Sequence, residues 1–124
     1  MKLTNNQIYT HATQLAENFQ DSAQRLPIKL NFFIQKNKAT LLALAQDIEQ
    51  TRLDIIQNYG DYDTESGQFV IPTEKIQEVT KELNDLFELE QEVVIQTIEA
   101  DSFINDDNIS LTTGQMEAIM FMIN

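Results

Sequence analysis

Side chains able to do chemistry are few in this chain, and the plentiful ones are of one kind. His11 is the only histidine, there is no cysteine, and Ser22, Ser66, Ser102 and Ser110 stand in no nucleophile elbow. No phosphate loop or dinucleotide fingerprint occurs. Carboxylates are abundant: Asp and Glu number 20 against 8 Lys and Arg, for a formal net charge of −12. The most ordered group is Glu78, Glu82, Asp85, Glu88 and Glu92, whose steps of three and four place them along one side of a helix. Acid–base catalysis needs paired carboxylates whose surroundings drive their pKa values apart, and an exposed helix face does not desolvate them. Like charges at this spacing oppose helix formation, so helix stability does not account for the row. It suits a phosphate-mimicking strip that fills a basic groove in a partner protein; the plainer alternative is a solvated face.

Asp61, Asp63 and Glu65 alternate ahead of Gly67 in a superficial likeness to a calcium loop. The glycine is one place late, however, and the twelfth position is Pro72 instead of a bidentate glutamate. A solvated turn is the expectation, with no metal and no cofactor. His11 lies one residue off the apolar stripe of its helix, with no acid or nucleophile at a spacing that would make a catalytic pair, and reads as a half-exposed surface residue. These features together predict a protein that is not an enzyme.

The acids are unevenly spread. Residues 1–58 hold six basic and five acidic side chains, whereas residues 59–124 hold two and fifteen. A field of that sign repels phosphate backbones and anionic lipid, and favours a partner protein with a basic surface, such as the nucleic-acid channel of another protein. Direct nucleic-acid or membrane binding is therefore not expected. The opening residues carry one lysine and no apolar h-region, and the longest apolar runs fall far short of a bilayer span. With no cysteine to need an oxidising compartment, a cytoplasmic location is the expectation.

The elements that must position these residues follow from periodicity. Thr4 and Gln7 fit a capping box, and Ile8, Ala12, Leu15, Ala16, Phe19 and Ala23 recur at helical steps, predicting a first helix that ends near Leu26 because Pro27 follows. Residues 28–58 contain no glycine or proline, and Ile34, Leu41, Ala45, Ile48 and Ile55 form a stripe flanked by Phe33, Leu44 and Ile56. This is the longest helix; it either breaks near Asn37 or projects toward a partner. Residues 59–68 read as a turn region with Gly60 at the helix C-terminus, followed by a β-like run at 69–71. Pro72 opens a third helix with Ile76, Val79, Leu83, Leu86 and Phe87 inward. Residues 93–98 are rich in β-branched side chains and are expected to pair with 69–71, ahead of a polar loop through Asp101 and Asn105 to Asn108. Thr112 and Gln115 cap a last helix, with Leu111 stapled onto Met116; it buries Met116, Ile119, Met120 and Ile123 and leaves Phe121 and Met122 spare for oligomerisation. The fold class is mainly α: one domain, a bundle of about four helices with a long central helix and a small two-stranded β element.

Leu26-Pro27-Ile28-Lys29, Asn58-Tyr59-Gly60, Gln68-Phe69-Val70-Ile71-Pro72, Glu74-Lys75-Ile76, Glu82-Leu83-Asn84-Asp85-Leu86-Phe87, Glu90-Gln91-Glu92-Val93, Ile109-Ser110-Leu111-Thr112, Ala118-Ile119 and Phe121-Met122-Ile123 occur in that order. On these segments, which span most of the chain, the sequence resembles small accessory proteins of unassigned role encoded by tailed phages and prophages of Firmicutes. The resemblance implies a viral accessory protein and supplies no functional residues. Two roles fit: an acidic inhibitor of a host defence or nucleic-acid-binding protein, anti-CRISPR-like in its logic, and a virion structural or assembly component acting as a homo-oligomer. A more distant third is an oligomer that sequesters a small signalling nucleotide between subunits.

Overall fold

The computed structural model of the protein describes residues 1–20, 24–103 and 110–124. Ala23 of the expected first stripe, Ser22 and the polar loop at 105–108 lie outside the described residues. Four α-helices and two small antiparallel ribbons are present among them: β1 (Lys2–Thr4), α1 (Asn5–Asn18), α2 (Ile28–Tyr59), β2 (Asp61–Asp63), β3 (Gln68–Val70), α3 (Ile76–Glu88), β4 (Glu90–Glu92) and α4 (Thr113–Ile119). No helix among the described residues is long and apolar enough to cross a membrane.

Both expected capping boxes form. Thr4 Oγ1 accepts from the Gln7 N–H at 3.1 Å while Gln7 Oε1 accepts from the Thr4 N–H at 2.9 Å, and Thr112 and Gln115 repeat the exchange at α4. α1 buries Ile8, Ala12 and Leu15 but stops at Asn18, eight residues before Leu26. The reason is tertiary. Gln115 Nε2 donates to the Asn18 carbonyl at 2.8 Å, and the Gln24 and Gln115 amides pair reciprocally, so α4 supplies the donor that a further turn of α1 would have supplied.

α2 runs unbroken for 32 residues, about 48 Å at 1.5 Å per residue. Asn37 does not break it. Fully buried, its amide exchanges hydrogen bonds with the Gln96 backbone (Nδ2 to the carbonyl at 2.9 Å, the N–H to Oδ1 at 2.8 Å) and also contacts Met122 Sδ at 3.5 Å. A buried amide satisfied on both sides is tolerated inside a helix. Leu30, Ile34, Leu41, Ala45 and Ile48 line the same face and pack against α1 and α3.

The ribbons are not paired as expected. β3 folds back on β2, matching Tyr62 with Phe69, and β1 pairs with β4, matching Leu3 with Gln91. Within 93–98, Val93 exchanges backbone hydrogen bonds with Met1 at the end of the β1–β4 ladder, at 2.8 and 2.9 Å, and Ile98 makes a parallel bridge to Ile123. A one-turn 3-10 helix, Thr73–Lys75, separates Pro72 from α3 and leaves Ile76 exposed instead of inward. Another, Met120–Met122, follows α4, and its tighter winding rotates the last side chains. Met120 consequently faces solvent and Met122 is completely buried, the reverse of the expectation.

Candidate functional site

α3 is amphipathic: Val79 and Leu86 are buried, with Leu83 and Phe87 half-buried beside them. Its outer surface carries Glu78, Glu82, Asp85 and Glu88, all exposed. Glu92 does not continue the row. The helix ends where the Leu89 N–H caps onto the Asp85 and Leu86 carbonyls, and the chain then straightens into β4, where the Glu92 carboxylate lies 3.2 Å from the Met1 amino group.

Two of the four helical acids have partners within the fold. The Tyr59 hydroxyl, at the C-terminal end of α2, donates to Glu82 Oε1 at 3.0 Å. That hydrogen bond, followed by slight desolvation and the charges of Glu82 and Glu78, raises the phenol's pKa. Lys81 Nζ lies 2.9 Å from Asp85 Oδ2, one turn along the helix, and this hydrogen bond and charge raise the lysine's pKa. Glu78 and Glu88 have no ion-pair partner among the described residues.

The acids do not stand alone. Ile76 at one end of the helix is 48% exposed and Leu89 at the other is 58% exposed. An open groove between α2 and α3 is lined by Thr51, Ile55, Leu86 and Leu89, with Glu82 and Asp85 on its rim. Apolar anchors beside charged rim groups are the composition of a protein-binding surface. Phosphate binding does not suit it, because Lys81 is the single cation on the helix and is already engaged.

Elsewhere several polar side chains hold the fold. Asp63 accepts from the Glu65 N–H at 3.0 Å and from Ser66 Oγ at 3.1 Å, closing the β2–β3 turn around Gly67, whose φ is 71°. Among the described residues no three His, Asp or Glu side chains converge as metal ligands. His11 stacks on Phe121 with ring centroids 4.1 Å apart and 16° between planes; its Nδ1 is buried without a hydrogen-bond partner, and desolvation lowers its pKa.

The expected oligomerisation pair is corrected accordingly. Met122 is a core residue touching Asn37 and is not spare; Phe121 is half-buried, stacked on His11. Sequence reasoning missed the burial of three amides among the described residues, Asn5, Asn37 and Gln115. Asn37 had a visible signal, since it falls between Ile34 and Leu41 at core spacing. No protein-family model, curated protein or solved structure matches the chain.

Proposed function

We propose that this is a phage-derived, non-enzymatic binding protein that engages a basic surface of a host protein through α3 and so blocks a site meant for nucleic acid. The observation that carries this reading is the exposed row Glu78, Glu82, Asp85 and Glu88, set between the exposed Ile76 and Leu89. The resemblance to phage and prophage accessory proteins supports the viral origin and a site of action in the host cytoplasm. The acids supply steering and register, and the apolar ends supply burial.

Glu78 and Glu88 are the residues to reverse first, because neither has an ion-pair partner among the described residues. Glu78→Lys with Glu88→Lys is expected to abolish salt-sensitive capture of a nucleic-acid-binding protein from host lysate and to leave the thermal melt unchanged. Capture that survives both substitutions overturns the reading.

A virion structural or assembly role is the second reading, favoured by the 32-residue α2, which is longer than a domain of this size requires. Presence of the protein in purified particles distinguishes it from the first.

A further inference from the structure

α2 has a second face. At 100° per residue, Ile28, Phe32, Ala39, Leu42 and Leu53, with glutamines between and after them, fall in an arc of about 80° nearly opposite the Leu30–Ile48 core stripe. Every residue of this arc is exposed and none is charged. Ile28 is 90% exposed and Phe32 58%. Their steps of four and three are those of a helix–helix seam.

The charges on either side of the seam are segregated along the helix. Lys29, Lys36 and Lys38 lie in the N-terminal half; Asp47, Glu49 and Asp54 lie in the C-terminal half, where the one cation, Arg52, is held by Glu49 through two hydrogen bonds on the side of the helix nearer the core. Lys29, Lys36, Asp47 and Asp54 share one flank, and Lys38 and Glu49 share the other.

We infer that this face binds a second copy of the chain, antiparallel, about a two-fold axis passing between Leu42 and Ala43. The pattern is self-complementary under that operation. Phe32 lies opposite the partner's Leu53, and the two Leu42 side chains meet at the axis. Lys36 faces the partner's Asp47 and Lys29 the partner's Asp54 on one flank; on the other, Lys38 approaches the partner's Glu49, whose carboxylate its own Arg52 already holds. The members of each pair are equidistant from the axis to within two residues. A parallel pair sets lysine on lysine and carboxylate on carboxylate, so the charges select the orientation. An isologous contact is also the commonest way for a chain to pair with itself. Roughly fifteen residues per copy take part, fewer than the 20–30 per side of a standard interface, so the dimer is reversible. Neither the acidic α3 face nor its proposed partner enters this inference.

Sedimentation velocity on the full chain over a concentration series is expected to show a monomer–dimer equilibrium. Lys36→Glu weakens it roughly tenfold by replacing two attractions with two repulsions, and Lys36→Glu combined with Asp47→Lys restores it. The chain has no cysteine, so single cysteines report orientation directly. Leu42→Cys is expected to cross-link to itself on oxidation. Phe32→Cys is not, because its two copies lie about 30 Å apart, far beyond disulfide reach. A strictly monomeric protein, a dimer indifferent to Lys36→Glu, or self-cross-linking through Phe32→Cys overturns the proposal. Unchanged circular dichroism shows that the variants at these exposed positions are folded.

Discussion

The two ribbons have the same size and geometry, three antiparallel residue pairs each, and opposite surroundings. β1–β4 is built into the core: Leu3 is 5% exposed, Val93 follows β4 as a buried residue, and Asn5 ties the corner by donating to the Leu86 carbonyl and accepting from Gln91 Nε2. β2–β3 has no buried residue in either strand and stands at the end of α2, held by the Asp63 turn and the edge-to-face pair of Tyr62 and Phe69, 5.5 Å between centroids. The difference teaches that three ladder rungs decide little in either ribbon. What the strands carry on their inner face decides whether they belong to the cooperative unit, since two short strands alone are marginal in water.

The strongest way to break this comparison is truncation at matched positions. Leu3→Ala is expected to cost about 3 kcal/mol, as large-to-small changes in a core do, and Phe69→Ala less than about 1 kcal/mol, the worth of an exposed aromatic pair. Urea-unfolding midpoints measure both; similar losses would erase the distinction. Asn5→Ala is next, at about 2 kcal/mol, because it leaves the Leu86 carbonyl and the Gln91 amide without their buried partner. Gly67→Ala costs about 1 kcal/mol for the left-handed φ, and the loss is confined to the hairpin. Amide exchange should therefore quicken over 61–70 while the global midpoint stays nearly in place.

The smallest effect separates the two ends by pH. His11 is on the core side, and desolvation lowers its pKa from the ordinary 6.5. The unfolded chain then binds the proton more readily than the folded one. His11 thus leaves stability undiminished above about pH 6.5 and subtracts from it as pH falls through that value toward the lower folded pKa. His11→Phe, which keeps the stack on Phe121, should flatten that part of the stability-versus-pH curve measured by thermal melts. An unchanged slope would place the acid sensitivity elsewhere.

Features set within one or two turns of chain were legible in the sequence. Thr4 with Gln7, Thr112 with Gln115, the position of the long helix and the outward row on α3 depend on neighbours three or four residues apart, and those spacings are written in the chain. Features set by distant contacts were not. α1 ends at Asn18 because Gln115, 97 residues away, meets its last carbonyl. Glu90–Glu92 has no strand-like composition and becomes β4 because β1 offers an edge beside it. Glu92 left the acidic row for the same reason, and a 3-10 turn exchanged the fates of Met120 and Met122. Asn37 read as a weak point in α2 and is a brace, since its partner, the Gln96 backbone, carries no side-chain signal.

The pairing of β1 with β4 also fixes an order in time. Lys2–Thr4 leave the ribosome before their partners Glu90–Glu92, which follow 88 residues later, roughly 4–18 s at about 5–20 residues per second. Through that interval α1 and α2 can already pack, but the Leu3 edge has nothing to close it. The nascent chain carries an open strand edge beside a half-built core until β4 has emerged, and α4 has still to follow before α1 gains its last hydrogen bond from Gln115.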